Sequence, residues 1–210
     1  MTEAAARVAA VLESSGALIR DSHVVYASGR HGRAYVNKDA VYPDTAAISG
    51  LCGLMAAAAR ACEPEVVCGP ALGGIILAQW VGHHLGLPAV YAEKVDDGMA
   101  LRRGYDRLVR GRRVLVVEDV VNTGGSVQQA IAAVRVAGGE VVAVAALCNR
   151  GGVTAEALGV PVLQALLEVR LDSWPAAECP LCRDGVPVNL DVGKGWEFVA
   201  ARGGPPVRSS

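Results

Sequence analysis

Aromatic residues are scarce in this chain of 210 residues, which contains one Phe, three Trp and five Tyr. The chain therefore offers few side chains on which nucleic-acid bases can stack. A basic excess is also missing, because 20 Lys and Arg stand against 21 Asp and Glu for a formal net charge of −1. Domains that bind polyanions as their main task usually carry a basic excess, so the charge balance disfavours DNA binding.

Long hydrophobic runs are absent as well. No apolar run reaches the roughly 18 residues that a membrane span needs, and the longest, around residues 71–81 and 141–148, have the length of core segments. The N-terminal segment carries Glu3 and Glu13 instead of the basic region of a secretory signal, which predicts a cytoplasmic protein. Six cysteines are too dilute for a disulfide scaffold. We interpret those in apolar stretches as reduced core residues: Cys52, Cys62, Cys68 and Cys148.

Two common nucleotide-binding motifs do not occur in the sequence. It contains no G-x-x-x-x-G-K-[ST], which argues against a P-loop nucleotide triphosphatase, and no G-x-G-x-x-G that opens a helix, which leaves a dinucleotide site unsupported.

What the chain does contain is enough apolar material for a core, with 52% hydrophobic and 20% charged residues. Its length predicts one domain with a small appended lobe. Uninterrupted apolar runs of strand length alternate with helical patterns, which predicts an α/β fold with a parallel sheet covered on both faces. Ligands of such sheets bind beyond the carboxyl ends of strands, here the loops after Cys68, Val117 and Leu147. The predicted core strands include residues 66–68, 89–91, 114–117 and 141–147.

The sequence pattern of the N-terminal third differs from the alternating strands and helices that follow it. Helical spacing predicts helices over residues 2–13 and 44–61. Between them, the β-prone residues 24–26 and 34–36 flank the Gly-containing stretch 28–32, which predicts a hairpin.

Residues 114–127, VLVVEDVVNTGGSV, carry the most informative pattern. An apolar strand delivers Glu118 and Asp119 at its carboxyl end, and a turn with two glycines then opens a helix whose free amides favour an anion. The acid pair can accept hydrogen bonds from a cis-diol, so this loop can hold a ribose 5-phosphate. The alternative is a strand-ending acid pair followed by an ordinary helix start. The predicted phosphate donors are Thr123, Gly124, Gly125 and Ser126.

On these residues the sequence resembles the type I phosphoribosyltransferases, and within them the orotate enzymes. The acid pair with Thr-Gly-Gly-Ser is similar to the family's signature for 5-phosphoribosyl 1-diphosphate (PRPP). Over most of residues 10–185, SGRHGRAYVNK resembles the segment that covers the base, GPALGGIILA the pyrophosphate loop, and EKVDDGMALRRGY the mobile catalytic loop. The resemblance implies a parallel-sheet fold with a small hood. The corresponding division is an N-terminal hood segment 1–62, a core 63–172, a C-terminal hood segment 173–202 and a disordered tail 203–210.

The resemblance also implies site roles. Glu118 and Asp119 would hold the ribose hydroxyls, with Asp119 also catalytic, while the Thr-Gly-Gly-Ser turn cradles the 5-phosphate. The remaining implied residues are Gly73 and Gly74 facing pyrophosphate, Lys94, Arg102 and Arg103 stabilising the leaving group, and Tyr35, Asn122 and Arg150 contacting the base. Structural alternatives are a strand-end salt bridge for Arg150 and a hairpin core for Tyr35. For Arg107, Arg110, Arg112 and Arg113, the alternative is a solvated surface loop.

The implied activity is transfer of the phosphoribosyl group from PRPP to a ring nitrogen, most simply that of orotate, with release of pyrophosphate. Mg²⁺ would be bound mainly through the diphosphate, and a homodimer would share its active sites. Two positions depart from the orotate pattern: Ala27 replaces a lysine, and Asn122 replaces a threonine. They motivate the alternative of a purine or other heteroaromatic acceptor. A further alternative is a non-catalytic PRPP sensor that binds nucleic acid through the arginine-rich residues 102–113.

Cys179 and Cys182 have the C-x-x-C spacing of half a zinc site or of a redox pair. Because no second C-x-x-C exists, a four-ligand site needs ligands from elsewhere, and His83 and His84 on a helix are typical surface residues. Packing is the favoured interpretation, with structural zinc and a reversible disulfide as the alternatives.

Overall fold

The protein is described by a computed structural model that covers residues 3–26, 28–96, 98–169 and 172–203. The position of Ala27 and the predicted disordered tail, apart from Gly203, lie outside the described residues. In the described residues the strands are β1 (Leu18–Ile19), β2 (Val24–Val25), β3 (His31–Gly32), β4 (Tyr35–Val36), β5 (Val66–Pro70), β6 (Ala89–Val95), β7 (Gly98–Ala100), β8 (Arg113–Val121), β9 (Glu140–Asn149), β10 (Leu163–Glu168) and β11 (Ser173–Trp174).

The helices follow the periodicity seen in the sequence, and short 3₁₀ turns occur at Lys38–Ala40, Arg60–Cys62 and Ala176–Glu178. In the described residues the helices are α1 (Glu3–Ser14), α2 (Thr45–Ala59), α3 (Gly73–Leu85), α4 (Tyr105–Val109), α5 (Gly125–Val136), α6 (Ala155–Leu158), α7 (Pro180–Arg183) and α8 (Gly195–Ala200).

The chain divides into two compact units. Unit 1 comprises Met1–Val8 and Asp44–Arg170, and unit 2 comprises Ala9–Pro43 and Leu171–Ser210. Residues 44–62, which the sequence-based division placed in an N-terminal hood segment, therefore belong to the core unit.

Unit 1 is built on a six-stranded sheet in the order β10-β9-β8-β5-β6-β7. The first five strands pair in parallel, and β7 adds an antiparallel edge. The central strands are valine-rich and buried on both faces, as parallel strands covered by helices require. The prediction of a parallel α/β sheet is confirmed.

Helix α2 shows how hydrophobicity and packing match in unit 1. The Asp44 side chain caps the helix by accepting hydrogen bonds from the amides of Ala46 and Ala47. By length and composition the segment Thr45–Cys62 would suffice to cross a membrane, although it was not singled out as an apolar run in the sequence. The helix instead packs against α3 and the sheet of unit 1. The side chains that it buries are Ile48, Leu51, Cys52, Met55, Ala56 and Ala59.

Unit 2 corrects the predicted hairpin. Strand β2 pairs with His31–Gly32, which the sequence pattern had assigned to the turn, and β11 pairs on the other side of β3. Tyr35–Val36 pairs instead with Leu18–Ile19. The reason is burial, because the imidazole of His31 is fully buried and draws the assumed turn into the interior of the unit.

Candidate functional site

The buried acid pair of unit 1 stands near the carboxyl end of the central strand β8. Glu118 is 6% exposed and Asp119 is 2% exposed. The Asp119 amide donates to Glu118 Oε1 at 3.0 Å, and the Val120 amide donates to Asp119 Oδ1 at 2.6 Å. Burying two consecutive carboxylates costs desolvation free energy. Charged groups that are buried at such a cost are concentrated at functional sites.

The turn that follows the acid pair forms a pocket of about 140 Å³. Residues 120–127 line it together with Glu118, and Asn122, Thr123 and Ser126 are among these lining residues. Gly124 has φ 82°, a left-handed conformation that favours glycine, and helix α5 begins at the next residue. No side chain caps α5, and its first residues line the pocket, so the amides of its first turn are available there as anion donors.

A second loop connects β5 to α3 in the neighbouring position of the sheet. Cys68 of β5 pairs with Val116 of β8, so both loops leave the same edge. The loop backbone is packed closely, since a Cβ built on Gly69 would lie 2.0 Å from the carbonyl oxygen of Gly74. Gly73 begins α3 and Gly74 is buried behind it, which places both predicted pyrophosphate residues at a helix start.

The loop after β9 joins the pocket from the other neighbouring strand. The Arg150 amide donates to the Val121 carbonyl at 2.9 Å, and the Gly151 amide donates to the same oxygen at 3.2 Å. A Cβ on Gly151 would lie 1.5 Å from the carbonyl oxygen of Asn122. The backbone of Arg150 is therefore fixed beside the turn that carries Asn122, which brings these two predicted base-binding residues together.

Asn149 supports this loop and was not predicted from the sequence. It is 3% exposed, its amide nitrogen donates to the Val153 carbonyl at 2.9 Å and to Glu168 Oε1 at 3.2 Å, and its oxygen accepts from the Val153 amide. An Asn directly before the arginine at the end of an apolar strand was the available signal, because a buried amide at a strand end must be satisfied by the loop.

The predicted catalytic cations lie on the β6–β7 arm and just beyond it. Lys94 is exposed on β6, where it pairs in register with Met99 of β7. Arg102 is exposed, and Arg103 Nε donates to Glu93 Oε1 at 2.5 Å. The predicted mobile loop over residues 96–104 is in part a β-hairpin, because residues 98–100 complete the antiparallel edge. Asp97 lies outside the described residues.

Two further predictions concern residues that are not among those lining the pocket. Tyr35 lies on β4 of unit 2, half-buried and paired with Ile19 of β1. Arg113 begins β8, is half-buried and donates to the carbonyl oxygens of Cys62 and Glu63, so it is a structural residue of unit 1 rather than part of a solvated surface loop.

The acid pair supplies hard carboxylate oxygens, the donor type that Mg²⁺ prefers. Glu118 lines the pocket and Asp119 follows Glu118 directly in the chain, so this donor set is chemically suited to a magnesium ion.

Comparisons with known proteins agree with this geometry. A family model described as phosphoribosyl transferase domain matches residues 46–162, a range that contains the loops after β5, β8 and β9. The chain is 42% identical over 180 residues to orotate phosphoribosyltransferase of Heliobacterium modesticaldum, which covers 84% of this chain and 92% of that protein. It is 39% identical over 173 residues to orotate phosphoribosyltransferase of Caldanaerobacter subterraneus, with 81% and 88% covered. A solved structure of Mycobacterium tuberculosis orotate phosphoribosyltransferase in complex with PRPP matches with a TM-score of 0.61 and 29% identity, covering 79% of this chain and 96% of that one.

Proposed function

Since the chain belongs to the phosphoribosyl transferase family, we propose that it transfers the phosphoribosyl group of PRPP to orotate, forming orotidine 5'-phosphate and pyrophosphate. Curated relatives and a solved structural neighbour with bound PRPP bear the same activity name. The protein is thus an enzyme of pyrimidine nucleotide biosynthesis, and its substrates are small molecules.

The observation that carries the proposal is the junction of β8 and α5. A buried acid pair precedes a glycine turn, and the turn opens a pocket at an uncapped helix start. In our proposal, Glu118 and Asp119 hold the two ribose hydroxyls, and the amides and hydroxyls of residues 123–126 hold the 5-phosphate. Carboxylates beneath the ribose also stabilise the positive charge that develops on the sugar when the C1–oxygen bond to pyrophosphate breaks.

In our proposal, the loop after β9 binds the acceptor base. Arg150 follows β9 with its backbone anchored on Val121, and its guanidinium can pair with the carboxylate of orotate in a bidentate geometry. Asn122 offers both a donor and an acceptor to the polar edge of the base. Lys94, Arg102 and Arg103 stabilise the pyrophosphate leaving group, which the loop backbone at Gly73 and Gly74 also contacts.

The proposal also covers the metal ion, the cellular compartment and the oligomeric state. Bound Mg²⁺ would neutralise charge on the diphosphate, with Glu118 and Asp119 as its nearest protein donors. We assign the enzyme to the cytoplasm, because none of the six cysteines is paired in a disulfide, as expected in a reducing compartment. We also assign it a homodimeric state, in which the β6–β7 arm of one subunit closes over the site of its partner.

The test combines binding and turnover. Calorimetric titration of the purified protein with PRPP and MgCl₂ should give a saturable heat, and a panel of orotate, adenine, guanine and uracil should show turnover with orotate. No heat with PRPP would overturn the assignment of the pocket. Turnover of a purine without turnover of orotate would overturn the acceptor, and salt-sensitive nucleic-acid binding without turnover would favour a sensor instead.

A further inference from the structure

Four potential metal ligands converge in unit 2: His23, His31, Cys179 and Cys182. Each offers one ligand atom, and the four atoms all lie within 4.8 Å of one another. His23 is 2% exposed, His31 is 0% exposed and Cys179 is 2% exposed, while Cys182 is half-buried. All four lie outside residues 46–162, the range of the transferase domain, and none of them has a role in the proposed reaction.

Three nitrogen–sulfur separations in the cluster match those expected around one tetrahedral ion. Zinc bonds of roughly 2.0–2.1 Å to nitrogen and 2.3 Å to sulfur give tetrahedral edges of about 3.3 Å between nitrogens and about 3.6 Å between nitrogen and sulfur. In the structure, His23 Nε2 lies 3.7 Å from Cys179 Sγ and 3.7 Å from Cys182 Sγ, and His31 Nδ1 lies 3.4 Å from Cys182 Sγ. The two imidazole nitrogens are 2.8 Å apart and must separate by a few tenths of an ångström.

A hydrogen bond behind the cluster orients one of these ligands. His23 Nδ1 lies 2.7 Å from the carbonyl oxygen of Val186, which can only accept, so Nδ1 carries the proton and donates it. His23 Nε2 therefore presents its lone pair to the cluster. A backbone carbonyl that holds the outer nitrogen of a histidine is a common second partner in zinc sites, because it fixes both the tautomer and the ring orientation.

The chain brings the four ligands together by strand pairing and a short helix. His31 lies on β3, which pairs with β2 directly after His23. The C-x-x-C pair brackets the start of α7, with Cys179 before Pro180 and Cys182 one turn later. An isolated bridge between His23 and Val188 aligns the C-terminal segment with the hairpin.

We propose that this cluster binds one zinc ion in a structural Cys₂His₂ site. Binding forms two Zn–S and two Zn–N bonds, and both thiols release their protons to solvent. Two thiolates balance the double charge of Zn²⁺, so the site is neutral, as its burial requires. The protein supplies all four ligands and leaves no open position for substrate or water, which is the arrangement of structural rather than catalytic zinc.

The site's role follows from the sequence separation of its ligands. The ion joins a hairpin near the N-terminus to a segment about 150 residues later. Closing such a long loop costs conformational entropy, which metal binding offsets, so zinc should stabilise unit 2. The site does not depend on the proposed reaction, and the two proposals can therefore fail separately.

The first test is the metal content of the untagged wild-type protein, purified without chelators and analysed by inductively coupled plasma mass spectrometry. We expect about one zinc per chain. Cys182→Ser and His23→Ala should lose most of this zinc, whereas the matched controls Cys62→Ser and His83→Ala should keep it. Wild-type protein without zinc, after growth in zinc-supplemented medium, would overturn the proposal, as would full zinc retention in both ligand variants.

A second test needs no variant and therefore does not depend on whether a variant folds. Cobalt added to chelator-treated wild-type protein should produce the visible bands of tetrahedral Co²⁺ and a near-ultraviolet thiolate charge-transfer band. Spectra of octahedral cobalt alone would overturn the site. Alkylation followed by peptide mass spectrometry should find both C-x-x-C thiols reduced in the zinc-loaded protein, and a Cys179–Cys182 disulfide in protein that lacks zinc as isolated would overturn it in favour of a redox pair.

Discussion

The backbone of Gly151 lies against the carbonyl group of Asn122, so closely that a Cβ on the glycine would stand 1.5 Å from the oxygen. This contact joins the loops of two adjacent parallel strands, β8 and β9. One loop lines the pocket proposed to hold the phosphate and the other carries Arg150. The proposed phosphate and base positions are therefore linked through a site that only glycine can occupy.

Gly151→Ala should force these loops apart and lower kcat/KM for orotate about 100-fold, because a misplacement of about 1 Å can cost this much in rate. Steady-state kinetics checks the effect. The matched control is Gly50→Ala in α2, where a Cβ meets nothing within 4 Å. It should keep normal kinetics and raise stability by about 0.5–1 kcal/mol, since alanine is the better helix former. Normal kinetics in Gly151→Ala would contradict the proposed link.

Asp119→Asn should lower kcat by about 10²–10³-fold, because the substitution removes a charge that stabilises the developing cation on the ribose. The fold should persist, since the amide oxygen of asparagine can still accept from the Val120 amide. Kinetics and thermal unfolding monitored by circular dichroism separate these two effects. Asp106→Asn on α4 serves as the matched control and should be nearly normal. An unchanged kcat for Asp119→Asn would refute the ribose assignment.

Arg150→Ala should weaken orotate binding by about 10–100-fold, the cost of losing a charge-assisted bidentate contact. PRPP affinity should change by less than about threefold, because the phosphate pocket is built from residues 120–127 and Glu118. Calorimetry with each ligand and the KM for orotate measure the difference. Arg135→Ala on α5, whose side chain contacts the Gly159 carbonyl, controls for loss of an arginine. Equal losses for both ligands would contradict a role in base binding.

Arg103→Ala should lower kcat at least about tenfold while the melting temperature stays the same. The hydrogen bond from Arg103 to Glu93 raises the pKa of the guanidinium further above its ordinary value, so the side chain stays charged. The Arg103 side chain is 63% exposed and that of Glu93 is 22% exposed, so solvent screens the pair and it contributes little to stability. Glu93→Gln is the companion variant and should retain turnover, since the arginine must leave this partner to reach pyrophosphate. A normal kcat in Arg103→Ala would remove the residue from the catalytic set.

Thiol reactivity should follow burial. Desolvation raises the pKa of Cys52, Cys68 and Cys148 to about 12, so at pH 8 only about one molecule in 10⁴ carries the reactive thiolate at each position. In the native protein, Ellman's reagent should modify the half-buried Cys62 first, and Cys62→Ser should lose this phase. The three buried thiols should react only in denaturant, or increasingly as the pH rises. Rapid reaction of Cys68 in native protein at pH 8 would contradict its burial.

The sequence predicted unit 1 far better than unit 2, and the reason lies in the range of the interactions. Strands β5, β8 and β9 are continuous apolar runs, and helix α5 starts directly after a two-glycine turn, so local pattern defines them. In unit 2 the strands are two residues long, and their pairing depends on burial of His31 rather than on turn signals.

Residue order alone determined the phosphate turn, because an acid pair, two glycines and a helix start that are consecutive in the chain must also be neighbours in space. It likewise determined the parallel sheet through its uninterrupted valine-rich runs. Only the tertiary structure decided which residue lies beside Asn122 and which side chains lie beside the C-x-x-C pair. Gly151 follows Asn122 by 29 positions, and His31 precedes Cys182 by 151. Such pairs are brought together by strand register and by burial, which no local spacing encodes.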